Sequence, residues 1–322
     1  MKSAYLSLVL SVFVCSLGCS DGGDGDASAG GGGGAAGGAQ SSSTGSDAMS
    51  GTGGAATTGG TGGGATSGTG GGGTGGAPAD NANMVFLLIG QSNMEGVPQP
   101  QAEDKVENPR VKVLAYDNCT NVGRTYNEWY TASPPLHSCG AGVGPGDYFA
   151  RTLAEAYPTA NIWLVPNAIN GVDIDFFRKG VRSSRRGEFR IPPDDHWNGA
   201  YEWVIERARL GQEKGTIRGI IFHQGESDSG QQAWLDKVAG MVSDLRSDLE
   251  LGEVPFIAGE LLYSGCCRGH NTIVNQIPGR IPNSFVVSAE GLAAMDQYHF
   301  DLAGQRTLGR RYGETMLEAL GD

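Results

Sequence analysis

Charge is scarce in this chain. Asp, Glu, Lys and Arg make up 18% of its 322 residues, where about 25% is usual for a globular domain. What charge there is leans negative, with 23 Lys and Arg against 35 Asp and Glu and a formal net charge of −12. No basic stripe runs along the sequence, and binders of nucleic acid or of anionic lipid surfaces need one; no nucleic-acid partner is expected. Long apolar runs are missing too, since the longest at the N-terminus, Ala4 to Leu17, falls short of the roughly 20 residues a spanning helix requires. The 54 glycines show no strict Gly-X-Y period, which excludes collagen. The absence of any fixed repeat excludes solenoids and propellers.

The glycine that is present divides the chain. Between Asp21 and Asp80 there are 26, and from Asn81 onward there are 27. Residues 1–80 carry Lys2 against five acids, while residues 81–322 carry 22 Lys and Arg against 30 Asp and Glu. Lys2, the apolar stretch and small residues before Cys19 read as a secretory signal over residues 1–19. Its end, Ser16-Leu17-Gly18-Cys19, resembles a bacterial lipobox except that Ser16 stands where Leu is usual, so Cys19 is the expected lipidation site. The expectation is an exported, lipid-anchored protein facing the periplasm or cell exterior, with soluble secretion as the alternative. Residues 20–80 are almost all Gly, Ser, Thr and Ala and have nothing to bury, so they read as a flexible tether. Its root-mean-square reach is roughly 40 Å. Residues 81–322 have the length of one α/β domain, expected to be monomeric.

Six cysteines occur. With Cys15 in the signal and Cys19 lipidated, Cys119, Cys139, Cys266 and Cys267 remain, an even number in an exported chain and so disulfide-forming. Three pairings exist; Cys119–Cys139 with a vicinal Cys266–Cys267 is the favoured one. Cys266-Cys267-x-x-His270 lacks the second ligand pair of a zinc site, and no metal is expected.

Periodicity predicts alternating strands and helices in the domain. Met84–Ile89, Asn161–Val165, Ile217–Phe222, Pro255–Glu260 and Phe285–Ser288 read as strands. Pro145–Tyr157, Trp197–Glu213, Gln231–Leu249 and Leu302–Leu320 read as helices, the last capped by Asp301. In the third helix Leu235, Val238, Val242, Leu245 and Leu249 share one face. This alternation predicts a three-layer α/β/α fold with a central, mostly parallel sheet of about five strands, flavodoxin-like. Ligands bind such sheets beyond the carboxyl ends of the strands.

Those ends carry chemistry. The first strand runs into Gly90-Gln91-Ser92-Asn93-Met94, a serine at a sharp turn beside backbone N–H groups. The Gly-x-Ser-x-Gly elbow of the α/β-hydrolases is absent from the chain. The third strand ends in His223-Gln224-Gly225-Glu226-Ser227-Asp228, polar groups that are expensive to bury without a purpose; a helix cap by Ser227 or Asp228 is the plainer reading. Before the last helix stands Asp296-Gln297-Tyr298-His299, a spacing that lets a carboxylate fix a histidine's tautomer. His137, His196 and His270 have no such neighbour and read as surface or loop residues. The Arg182, Arg185, Arg186 and Arg190 cluster reads as a solvated loop rather than a phosphate site.

Taken together, Gly90–Gly96, Gly142–Ala150, Ala168–Ile174, His223–Asp228 and Asp296–Gly304 resemble the SGNH-type carbohydrate acetylesterases, the branch with sialate O-acetylesterase-like and acetylxylan esterase domains. The resemblance spans residues 84 to about 316. It implies Ser92 as nucleophile, His299 as general base and Asp296 as its orienting carboxylate, with no cofactor. It also implies an oxyanion hole from Ser92 N–H, Gly171 N–H and the Gln224 side chain, since an ionised Glu226 has no proton to donate. The family's Gly-Gly-Thr-Ser block here reads Asn170-Gly171-Val172-Asp173, which leaves the local substrate contacts open. Gln91, Asn93, Asn170 and Glu226 are the expected substrate contacts. Trp129, in the long aromatic segment Asn118–Gly146, is either a sugar-stacking rim or cover for the core. The implied partner is an acetylated carbohydrate: xylan or a related polymer first, then acetylated sialic acid. A sugar-binding module that has lost activity is the reading from a different class.

Overall fold

The computed structural model describes residues 82–321. The signal, Cys19 and the tether lie outside the described residues.

Seven strands form one sheet: β1 (Asn83–Gly90), β2 (Val111–Leu114), β3 (Trp129–Thr131), β4 (Asn161–Ala168), β5 (Thr216–His223), β6 (Phe256–Gly259) and β7 (Ser284–Val287). Their order across the sheet is β3-β2-β4-β1-β5-β6-β7. All pairs are parallel except β2 with β3. The five strands legible in the sequence are β4-β1-β5-β6-β7, the flavodoxin-like order. The short β2 and β3 extend that sheet beyond β4; four residues and three residues are too few to show a periodicity.

Strand β1 shows why the layers form. Met84, Phe86 and Leu88 point to one face and Val85, Leu87 and Ile89 to the other, all fully buried. A strand covered on both faces reads as a continuous apolar run instead of an alternating one. Helices α2 (Pro145–Ala156) and α7 (Leu302–Leu320) cover the first face with Phe149, Leu153, Leu308, Tyr312 and Met316. Helices α3 (Ala200–Gln212) and α4 (Ala233–Asp248) cover the second with Trp203, Val204, Val238, Val242 and Leu245. Asp301 caps α7 through a hydrogen bond from Gly304 N–H at 2.7 Å. Three further helices are single turns, α1 (Ser92–Glu95), α5 (Asn271–Val274) and α6 (Ile277–Arg280). The sheet reverses its strand order between β1 and β5, so the turns after these two strands flank one crevice.

Candidate active site

The turn after β1 depends on Gly90. Its φ is +155°, and a Cβ there would lie 2.1 Å from the His223 carbonyl oxygen. The bare backbone lets Gln91 N–H donate to that carbonyl at 2.9 Å, which locks the turn after β1 to the end of β5. Ser92 opens α1, where the first N–H groups have no intrahelical acceptor, and is 4% exposed. From the loop before α7, His299 Nε2 reaches Ser92 Oγ at 2.9 Å. His299 Nδ1 lies 2.8 Å from Asp296 Oδ2. Asp296 Oδ1 also accepts from the N–H groups of Tyr298 and His299, at 2.7 and 2.8 Å. Burial pushes the Asp296 carboxyl up, but the bonds from the His299 ring and these two N–H groups outweigh it and hold it below its ordinary value. The carboxylate is thus ionised, and the proton shared with it sits on Nδ1, leaving Nε2 to accept from the serine.

Beyond β4, Gly171 has φ +75°, a conformation that favours glycine. Its carbonyl accepts from Ser227 Oγ at 2.9 Å and Arg185 Nη1 at 3.1 Å. Asn170 beside it is exposed. Asp173 turns inward instead: one oxygen accepts from Asp175 N–H at 3.0 Å and the other from Ser183 Oγ at 2.9 Å. It caps a short turn, so this departure from the family pattern is structural.

Several expected contacts lie elsewhere. Gln224 is 1% exposed. Its Nε2 donates to Asp228 Oδ2 at 2.6 Å, Gln91 Oε1 at 3.1 Å and the Val172 carbonyl at 3.3 Å, and its Oε1 accepts from Trp234 Nε1 at 2.6 Å. Both ends of the amide are committed to protein, so Gln224 is not the side-chain donor of an oxyanion hole. Gln91 is buried, and its Oε1 receives the Gln224 amide and the N–H groups of Gly225 and Ser227; it fastens two turns together and does not face substrate. Asn93 is fully buried and is not a substrate contact, while the Glu226 side chain is 6% exposed, about as open as Ser92. Trp129 packs edge-on against Trp163, ring centroids 5.0 Å apart, at the border of the core; it is cover, not rim. Of the polar contacts expected, Asn170 alone remains at the surface. Ser227 and Asp228 cap no helix; Asp228 instead accepts from Ile174 N–H at 2.9 Å.

Cys119 and Cys139 are joined. Cys266 and Cys267 do not form the vicinal bridge, their sulfurs standing 2.8 Å apart. A trans peptide holds adjacent Cα atoms about 3.8 Å apart, short of the roughly 4.4–6.8 Å that disulfides span. His137 and His270 are buried, contrary to the surface part of that reading, while His196 is exposed. Arg186 is buried and bonded to Trp197 O and Phe189 O, and Arg185 braces Gly171, so that arginine cluster clamps loops.

Some contributing residues escaped sequence reasoning. Tyr312 OH donates to Phe222 O at 2.7 Å, so His223 Nδ1, 3.1 Å from the hydroxyl oxygen, must carry a proton and donate to it. Burial pushes the His223 ring down to about 3, so the ring is neutral and Nε2 is a bare lone pair. That atom lies 3.9 Å from Glu226 Oε1. Burial, opposed by a hydrogen bond from Asn93, pushes the Glu226 carboxyl up. Gln305 of α7 is also fully buried. Its signal was there to read, a polar residue in line with Leu308, Tyr312 and Met316 on an otherwise apolar stripe.

With this geometry in view, the chain can be placed. Residues 82–318 match the carbohydrate esterase, sialic acid-specific acetylesterase family. The chain belongs to that family. A probable carbohydrate esterase of Arabidopsis thaliana is 27% identical over 256 residues, 73% of this chain and 90% of the relative. Its crystal structure superposes with a TM-score of 0.60 at 24% identity, covering 75% of this chain and 99% of that one. NanS gives a TM-score of 0.57 at 21% identity, covering 75% and 98%. A carbohydrate acetylesterase from Xanthomonas citri gives 0.54 at 18%, covering 74% of this chain and 57% of its own. The protein is a carbohydrate acetylesterase, a carboxylic ester hydrolase on an α/β fold.

Proposed function

We propose that this acetylesterase is a serine esterase in which Ser92, His299 and Asp296 remove O-acetyl groups from a polysaccharide, acetylxylan or a related polymer. The observation that carries the reading is the continuous chain from Ser92 Oγ to His299 Nε2 and from Nδ1 to Asp296, at 2.9 and 2.8 Å. His299 takes the Ser92 proton as Oγ attacks the acetyl carbonyl carbon, and Asp296 stabilises the imidazolium. The N–H groups of Ser92 and Gly171 receive the oxyanion. His299 then gives its proton to the departing sugar oxygen, leaving an acetyl-serine. Water, deprotonated by His299, attacks that ester, acetate departs and Ser92 Oγ recovers its proton. Acetylated sialic acid is the second reading, favoured by the family's description. The lipobox-like Ser16–Cys19 and the Gly-rich stretch after it support an exported enzyme tethered by lipid on Cys19.

Ser92→Ala tests the assignment. Acetate release from acetylxylan, O-acetylated sialic acid and p-nitrophenyl acetate is expected to fall by at least about 10⁴-fold, with the unfolding midpoint unchanged. Wild-type turnover by the variant would overturn the mechanism, and the ranking of the three wild-type rates decides the substrate.

A further inference from the structure

Asn93 follows the serine directly, yet its amide is fully buried and turned toward the residues that flank His299. Its Nδ2 donates to the Tyr298 carbonyl at 2.9 Å and to Glu226 Oε1 at 2.6 Å. Its Oδ1 accepts from Phe300 N–H and from Gln305 Nε2, both at 3.3 Å. Gln305 Nε2 also reaches the Asn93 backbone carbonyl at 3.1 Å. Tyr298 and Phe300 are the residues on either side of His299. One side chain therefore grips the peptide before and the peptide after the histidine, from the position adjacent to the serine.

We propose that Asn93 is a positioning residue that sets His299 at hydrogen-bonding distance from Ser92 by holding both its neighbours. This rests on the serine-esterase reading above. The contacts fix the amide's orientation: rotated by half a turn, Nδ2 would meet the donors Phe300 N–H and Gln305 Nε2, and Oδ1 would meet the acceptors Tyr298 O and Glu226. Two donors are needed on one side and an acceptor on the other, and at this size only asparagine supplies them. Aspartate, the same shape, presents acceptors to the Tyr298 carbonyl and to Glu226 alike. A grip on backbone either side of a catalytic group matters because a displacement of about 1 Å can cost on the order of 10²-fold in rate.

Asn93→Asp is the decisive variant, measured with p-nitrophenyl acetate. The expected result is a fall in kcat of about 10²-fold with KM within about threefold, since the residue touches no substrate. Combining it with Glu226→Gln returns a donor to one lost contact and should recover kcat at least about fivefold over Asn93→Asp alone. A residue that merely held the fold would lower the unfolding midpoint and leave kcat per folded molecule intact. Asn93→Asp with kcat within threefold of wild type, or no recovery in the double variant, overturns the proposal. Should Asn93→Asp fail to fold, Gln305→Ala decides: a fall in kcat at constant KM supports the strut, and an unchanged kcat overturns it. The two readings fail separately. A wrong serine assignment shows as turnover by Ser92→Ala, and a wrong strut as an inactive Ser92→Ala beside an unimpaired Asn93→Asp.

Discussion

Two regions of this domain bury polar side chains deeply, and the bonding of Arg207 in one contrasts with that of the groups behind Ser92 in the other. On the flank beyond β4, the fully buried Arg207 sends Nε to Asn167 Oδ1, Nη1 to the Ala115 carbonyl and Asn127 Oδ1, and Nη2 to the Leu114 and Pro166 carbonyls. The rings of Trp203, Tyr126 and Tyr116 lie 5.2, 5.5 and 6.0 Å from its guanidinium carbon. Every nitrogen is satisfied, and the cation persists although burial pushes its pKa down to about 10. At the crevice between β1 and β5, by contrast, His223 Nε2, Glu226 Oε2 and Gln305 Oε1 are buried with no hydrogen-bond partner among the described residues. The difference separates two uses of buried polarity. A closed network fixes a loop geometry and gains nothing from change. Around Asn93 the bonds to the residues flanking His299 are made, and the leftover valences belong to groups one step behind them.

The sharpest way to break that comparison is at the closed network. Arg207→Leu strips donors from five acceptors at once, across the ends of β2 and β4 and the Asn127 loop. A loss of about 3–5 kcal/mol in unfolding free energy is expected, read by urea denaturation. The fraction that remains folded should keep the wild-type kcat on p-nitrophenyl acetate. A rate that fell in step with stability would mean that the flank also sets the catalytic geometry.

Next in size is the segment that joins the two regions. The Cys119–Cys139 bridge closes a loop with a sequence separation of 20. Beyond it, Gly142 N–H donates to the Gly96 carbonyl and Val143 N–H to the Pro98 carbonyl, both at 2.8 Å, which fastens the segment to the turn after α1. Replacing both cysteines by serine should lower unfolding free energy by about 2–4 kcal/mol through the loop entropy restored to the unfolded chain. Turnover of p-nitrophenyl acetate should stay within about threefold. A larger loss would show that the bridge, and not only the backbone bonds at Gly96 and Pro98, holds the catalytic turn.

The two regions also differ in how legible they were. Strand β1, the cap at Asp301 and the contact of Asp296 with His299 are legible because each depends on a short-range pattern: a buried run, a cap one residue before a helix, a three-residue spacing. What was missed depends on distance in the chain. Gln224 looks like an available amide, but Gln91 and Val172, 133 and 52 residues away, take its Nε2 along with the nearby Asp228, and Trp234 takes its Oε1. Asn93 looks like a substrate contact because it follows Ser92 directly, while its partners at 226, 298 and 300 are more than 130 residues away. His137 and His270 read as surface or loop residues because a lone histidine carries no periodicity to mark its burial. Arg207 gave no warning either, since an arginine within a helix ordinarily faces water.

The smallest effect is a slope with pH, and it tests the buried groups of both regions together. Burial pushes the carboxyls of Glu95 and Asp147 up to about 7 and that of Asp228 up to about 6. The folded chain therefore holds protons that the unfolded chain releases, so their contribution to stability is full below the unfolded value near 4 and is lost as pH rises toward 7. The imidazoles act in the other sense. Burial pushes His137 on the Arg207 side and His223 at the crevice down to about 3, and His270 down to about 4. Their contribution is full above the unfolded value near 6.5 and is lost as pH falls through it toward 3. Each group is worth at most about 1.4 kcal/mol per pH unit while it titrates in one state only. These three carboxyls, with Glu226 pushed the same way, and three imidazoles thus oppose one another between roughly pH 4.5 and 6, so unfolding free energy should change by no more than about 1–2 kcal/mol per unit there before falling below about pH 4. Replacing Glu95 by Gln and Asp147 by Asn removes two carboxyls from one side of that balance. Relative to the wild type, the double variant should lose about 2–3 kcal/mol of stability per unit as pH drops from 6 to 5, as measured by urea unfolding at each pH. Parallel curves for the two proteins would mean that these carboxyls titrate in the folded chain as they do in the unfolded one, and that the imidazoles are balanced by other groups.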